Sequence, residues 1–568
     1  MQSAIGRVIK STRYSVRAAL QSALLISALL LVGGTERVVG MDLLAQQDER
    51  ATGVVRGKRA PVAGALVNYP SGRQQVSTNV EGLFYLPDLP DRGEITLIAW
   101  APGYYNTEIE FEMGDSVEIE LRPILFADHP QYEWIGAHQR RDQEENCQGC
   151  HSDPDRLALQ LPFDTWSRGA HANAARNPLF RSVYLGQDLR GNQSPPTRYG
   201  KSVDYGSFPL PPATTQPYFG PGYRLDFPQN RGNCALCHAP MAAVRAPFQT
   251  DPTVLSEEEQ EGVSCDFCHK INHVILDEQT GLPHERVPGV LSYQLLRPGE
   301  GQQLFLGPKV DVTGDDSYSP LHHQSRLCAG CHSAKFWGVD IYNSYGEWLD
   351  SPYADYRKPG AKSCQDCHMP TGLTDRFTRL KEGGRVRDPE SIHVHRNSGS
   401  RDVTLIQSAV QMEVKGSRIN GQIAVDVTLR NVGSGHHLPT GTPLRHLVLR
   451  VEALSEKGEV LSQLAGSHLP DWSGPFSGQP GRVYAKVLEE LWTGISPTIG
   501  YWNPIRLVED NRIPAAGEDH QRFRFQPSAG AVTIAVELTY VRALPTIRAW
   551  KGWPEEQVIM AAQKITLD

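Results

Sequence analysis

The sequence predicts a multidomain protein in which a loop-rich, mainly α core lies between an N-terminal and a C-terminal β-sandwich. Three observations carry that reading. Five CxxCH runs, which together use all ten cysteines, fall between residues 147 and 368. Short segments of alternating apolar and polar residues precede them, and longer ones follow. The 568 residues suffice for about three or four domains.

At the N-terminus, Arg7, Lys10, Arg13 and Arg17 precede the apolar run AALQSALLISALLLVGG. A basic flank before a short apolar stretch marks an export signal, here residues 1–40 with Val38 and Gly40 offering a cleavage point. The competing reading is a retained anchor helix, but the run is short for a bilayer span. No cysteine lies just after it to carry a lipid, so a lipoprotein anchor is not expected, and no other stretch approaches transmembrane length, so the mature chain is expected to lack a membrane span. Residues 41–50 form a polar leader.

Residues 50–125 contain GVVRGKRAPVAGALVNYP, VSTNVEGLFYLPDLP and EITLIAWAPGYYNTEIEFEM, which are strand segments punctuated by Gly, Pro and Asn. They predict the first β-sandwich.

Residues 130–400 hold every cysteine. CQGCH supplies Cys147, Cys150 and His151, and CALCH supplies Cys234, Cys237 and His238. CDFCH supplies Cys265, Cys268 and His269, CAGCH supplies Cys328, Cys331 and His332, and CQDCH supplies Cys364, Cys367 and His368. This is the attachment signature of c-type haem. Two thiols add to the vinyl groups of one porphyrin, and the adjacent imidazole binds the iron from one face. Positions i, i+3 and i+4 of a helical turn point the same way, so one turn presents all three groups. Disulfides or zinc half-sites also use CxxC pairs, but neither requires a histidine after every second cysteine. The expectation is five covalently attached haems. The motif histidines are separated by 87, 31, 63 and 36 residues, which favours sites two and three, and four and five, as neighbours.

Each iron also needs a sixth ligand unless it binds a substrate. Fourteen of the 19 histidines lie outside the motifs. His138, His171, His322, His395 and His436 are the candidates, although a lone histidine is more often an ordinary surface or hydrogen-bonding residue. Met241 and Met369 follow a motif histidine too closely to reach the opposite face of the same ring.

Residues 401–568 return to strand patterning in IAVDVTLRNV, LRHLVLRVEAL and AVTIAVELTYVRAL, which predicts an immunoglobulin-like sandwich. The formal net charge of −8 gives no basic surface for nucleic acid.

Two resemblances accompany these readings. The GALV strand, Thr78 to Gly82 with Phe84, and the Ala101 to Tyr104 turn resemble a carboxypeptidase regulatory-like, or transthyretin-like, β-sandwich. WSRGAH (166–171) with Pro178 and Phe180, EGVSCDFCHK, SPLHHQSRLCAGCH, SCQDCHMP, SIHVHRN and GHHLPTG (435–441) resemble another family. It is the multihaem cytochrome c group related to the tetrahaem electron acceptor of hydroxylamine oxidation. That resemblance implies stacked, mostly bis-His haems, with His171 and His322 as distal ligands and His436 a ligand or near neighbour. Five sites and two added β-domains depart from the tetrahaem pattern.

The expected function is electron transfer outside the cytoplasm, in the periplasm or at the cell surface, between redox partner proteins or to an external acceptor. One alternative is an oxidoreductase with a five-coordinate haem acting on a small nitrogen compound. Another is a homo-oligomer or filament of haem subunits. No catalytic residue is assigned.

Overall fold

The computed structural model describes residues 52–568, apart from 71–73, 88, 91–92, 113–116 and 142–144. The expected export signal lies outside the described residues. Two compact units form, one reaching Ala99 and including Glu108–Glu120, the other comprising Trp100–Thr107 and Leu121–Asp568.

The first unit is built from two small sheets. Leu83–Phe84, Gly53–Arg56 and Val117–Glu120 make one, and Gln74–Ser77, Leu66–Tyr69, Glu94–Trp100 and Thr107–Glu112 make the other. Alternation decides which residues turn inward: Val55, Val67, Ile95 and Ile119 are buried while their neighbours are partly or fully exposed. Thr78 pins a turn, its hydroxyl donating to the Val62 carbonyl at 2.6 Å and accepting from the Ala65 amide at 2.9 Å.

In the second unit, the part bearing the cysteine motifs is loop-rich, as its Gly and Pro content requires. Short helical turns outnumber strands there, but none is long. The longest described helix between residues 130 and 400 is Pro178–Leu185, eight residues, and the other helices there are one or two turns long. Four two-stranded sheets punctuate them. Isolated turns of this length are unstable alone and depend on tertiary anchoring. Leu236, Phe267, Leu321 and Ala329 gather with Tyr132, Trp134 and Trp348 in one apolar cluster, which packs three of the motif turns together.

The C-terminal strands make two larger sheets. Val410–Ile419, Gln422–Asn431, Glu518–Phe525 and Gln463–Ala465 form one. Ile505–Asp510, Gly481–Glu490, His446–Leu454, Val532–Val541 and Gln557–Leu567 form the other. A common core fills the space between them, with Val425, Val427 and Phe523 from the first sheet meeting Leu447, Leu449, Val536 and Leu538 from the second. The loop 432–445 leaves this sandwich towards the motif region. Asn431 holds its base, donating to the His436 carbonyl at 2.8 Å and to the Ile513 carbonyl at 3.2 Å. Among the described residues, no helix is long and apolar enough to cross a membrane.

Candidate functional site

Each CxxCH run folds as a single helical turn. The turns are Cys147–His151, Ala235–His238, Cys265–Cys268, Ala329–His332 and Cys364–His368. Local caps start two of them. The Asn146 side chain accepts from the Gly149 amide at 2.8 Å. Ser363 and Asp366 form a reciprocal capping box.

The motif imidazoles are oriented as metal ligands. Nδ1 of His151 donates to the Phe377 carbonyl at 2.7 Å, and that of His238 to the Ala174 carbonyl at 3.1 Å. His269 donates to the Leu306 carbonyl at 2.7 Å, and His368 to the Ser398 carbonyl at 2.5 Å. A carbonyl can only accept, so the proton sits on Nδ1 and the Nε2 lone pair is left for a metal. Burial pushes the pKa of His151, His238 and His269 down, and that of His332 down to about 3. These rings are therefore neutral at physiological pH, the ligating form.

The distal candidates divide by geometry. Metal–imidazole bonds of about 2 Å place two ring centres about 6 Å apart across one iron. His171 lies 6.2 Å from His332, and His436 lies 6.2 Å from His368. Two candidates face His269: His395 at 6.5 Å and His322 at 5.5 Å. The spacing favours His395, because His322 also turns its Nε2 to the Cys268 carbonyl at 3.3 Å. All four are half-buried, and desolvation lowers His171 and His436 to about 4 and His322 and His395 to about 3. Nδ1 of both His322 and His395 is buried without a hydrogen-bond partner. Orphans of this kind are rare in finished interiors and mark places where a further group belongs.

His138 is placed differently. Its side chain is 39% exposed, and its Nδ1 lies 2.9 Å from the buried Glu261 carboxylate. The ring rests against Phe163 and Trp166, in the cluster that also contacts Cys147 and Cys265. No second imidazole lies in ring contact with it among the described residues. His238 likewise has no imidazole in ring contact; Phe180 lies flat on it instead, 3.8 Å between centres and 3° between planes. Met241 Sδ is 3.3 Å from the Ser264 hydroxyl.

The ten cysteines are unpaired, and no three His, Cys, Asp or Glu side chains converge as a metal cluster among the described residues. Burial pushes Cys234 and Cys268 up to about 12, so these thiols are neutral when no group is bound. Thiols from different motifs interact: Cys147 with Cys265, Cys237 with Cys331, and Cys328 with Cys364. Site one therefore meets three, site two meets four, and four meets five. The spacing in sequence paired two with three and four with five; Cys328 meets Cys364 in the latter pair, the former share the apolar cluster of Leu236 and Phe267, and the contacts of one with three and two with four are additional.

Groups suited to porphyrin carboxylates are present as well. Beside the first motif, the Arg379 amide donates to the Cys150 carbonyl at 3.0 Å, and the Nε atoms of Arg379 and Arg387 are buried without partners. Ala158, Gln160, Thr165, Arg168 and Arg396 line a cavity of about 450 Å³, and the His395 amide donates to the Thr165 hydroxyl at 3.0 Å. Neutral imidazole nitrogens, half-buried thiols and orphaned guanidinium nitrogens all suit covalently bound haem.

No family model matches this chain, and no curated protein does. Among solved structures, it is similar to a penta-heme cytochrome c552 from Thermochromatium tepidum. The identity is 20% and the TM-score 0.49, over 74% of this chain and 97% of that one. It is also similar to the ASH/PapD-like domain of human CEP192, at 10% identity and TM-score 0.10, over 28% of this chain and 83% of that one.

Sequence reasoning missed the residues that hold the loop bearing His436. Glu347 is buried in the helix Ser344–Leu349, where its carboxylate accepts from Thr440 Oγ1 at 2.5 Å, the His437 amide at 3.2 Å and Arg512 Nη1 at 2.7 Å. Nothing local in SYGEWL reports a partner 165 residues away.

Proposed function

We propose that the protein is an exported pentahaem c-type cytochrome that passes electrons between an extracytoplasmic donor and acceptor. Haem iron, when bound, supplies a one-electron carrier whose potential follows its axial ligands. The chain's own residues do the rest. Cys147, Cys150, Cys234, Cys237, Cys265, Cys268, Cys328, Cys331, Cys364 and Cys367 would tether the five groups. His151, His238, His269, His332 and His368 would be the proximal ligands, with His171, His395 and His436 opposing His332, His269 and His368. His322 and His138 remain further candidates beside sites three and one. The observation that carries this reading is the pair of 6.2 Å imidazole spacings, His171 to His332 and His368 to His436. The thiol contacts join site one to three and sites two, four and five to one another, and Cys268 interacts with Cys331 across the two groups, which supports a connected path for electron hopping. Redox titration of the matured protein should take up five electrons per chain with mostly low-spin spectra; uptake of none removes the proposal.

One observation favours a second reading. His238 has Phe180 on its ring and no imidazole in contact among the described residues. A five-coordinate second haem would bind a small nitrogen compound such as nitrite or hydroxylamine. Addition of either should perturb one high-spin signal; a wholly low-spin protein with no response excludes it.

A further inference from the structure

The helix Pro545–Lys551, near the C-terminus, delivers its last residue into the motif region. Lys551 is fully buried, and its Nζ donates to the Ser182 carbonyl at 3.0 Å and the Pro221 carbonyl at 2.7 Å. Ser182 belongs to the last turn of the helix Pro178–Leu185, where a cation complements the helix dipole. Two residues beyond Lys551, Trp553 Nε1 donates to the Ser182 hydroxyl at 3.0 Å. Leu544, Ile547 and Trp553 pack with Leu179 and Val183 of the same helix. One face of the helix is thus clamped by the C-terminal segment. Another of its residues, Phe180, is the ring that lies flat on His238.

The His238 imidazole is held at two points, by Phe180 across its face and by the Ala174 carbonyl at Nδ1. Its translation and rotation are both fixed. The plane of an axial imidazole sets the electronic state of the iron it binds, so whatever fixes the Pro178–Leu185 helix also tunes that centre.

We infer that Lys551 and Trp553 are positioning residues for the second haem, clamping the Pro178–Leu185 helix so that Phe180 sets the plane of the His238 imidazole. Packing alone does not require a lysine here. Among the described residues no carboxylate pairs with its Nζ, and an ammonium in such a place costs stability that a methionine of similar length would avoid. Burial pushes the amine down to about 7, in line with that cost. What lysine adds is directional: two carbonyls from separate segments gripped by one group.

The inference rests on the pentahaem reading, and the test separates the two. Mass analysis first counts haems on the wild-type chain; fewer than five overturns the reading and this inference with it. On the five-haem protein, electron spin resonance and spectroelectrochemistry then compare Lys551→Met, Phe180→Leu and the double variant. Each single variant should shift the resonance and midpoint of the same one haem. The double should match Phe180→Leu alone, and Lys551→Gln, which keeps a donor, should recover most of the wild-type signal. Should Lys551→Met not mature, Trp553→Phe removes the N–H donor and part of the ring while keeping an aromatic side chain, and is read the same way. Haem signals unmoved by the clamp variants, shifts at different haems, or additive shifts in the double variant overturn the inference and leave the pentahaem reading intact.

Discussion

Replacing Glu347 by alanine should disturb one haem site from outside its CxxCH motif. The carboxylate joins the helix Ser344–Leu349 to the loop through Thr440 and the His437 amide, and it meets the His437 ring at 3.1 Å. It also faces Arg512, whose side chain is only 4% exposed. Removing one partner of a buried ion pair costs about 3–5 kcal/mol, because the remaining charge is stranded. Here Asp510 still grips Arg512, at 2.7 and 2.8 Å, so the lower end, about 3 kcal/mol, is the expected loss. If the loss falls on the loop alone, about 3 kcal/mol shifts its closed-to-open ratio about 100-fold. His436 would then lose its fixed 6.2 Å relation to His368. The assay is the high-spin fraction by absorption and spin resonance, with His436→Ala as the limiting case. Glu347→Ala should move part of the fifth haem towards that limit. A variant with an unchanged spectrum and denaturation midpoint would refute the claim that this carboxylate positions the loop.

Other perturbations read other parts of the site. His171→Ala should leave the haem on His332 high-spin and shift its midpoint; an unchanged spectrum removes His171 from the ligand set. His395→Ala should do the same for the haem on His269, and failure to do so while His322→Ala succeeds would assign that position to His322. Asp266→Asn strands the fully buried Lys270, now paired at 2.6 Å, and should cost about 3–5 kcal/mol in chemical denaturation; a loss under about 1 kcal/mol would show that the pair relaxes. Stability should rise with pH between about 7 and 10.5 on account of Lys551, whose amine burial lowers to about 7. In that window the unfolded chain holds a proton the folded chain has released, so the cost of the buried charge is relieved as pH rises. The linkage amounts to at most about 5 kcal/mol, and Lys551→Met should flatten the slope; equal slopes in both proteins contradict it.

Much of the chemistry was legible because it is local. Two thiols and an imidazole within five residues need only one helical turn, so CQGCH or CQDCH states its use without tertiary information. The strand patterns are similarly local: IAVDVTLRNV lies on Gln422–Asn431, where Val425, Val427 and Leu429 point inward. The axial pairing is different in kind. His171 meets His332, and His436 meets His368, because loops far apart in sequence close on the same spot. The contacts of site one with three and of two with four were illegible for the same reason, since a sequence gap bounds how far apart two motifs can be but not what packs between them. The helices stay short because the motif turns are held by hydrogen bonds such as His151 to Phe377 and not by helical propagation. Glu261 and Glu347, ordinary acids in sequence, are recognisable only once their buried partners are in view.

Intact-mass analysis of the mature chain, paired with haem quantitation, tests the central claim most directly. The geometry predicts five covalent haems per chain, with all ten cysteines resistant to thiol alkylation. Fewer than five haems, alkylatable cysteines or stoichiometric zinc would contradict it.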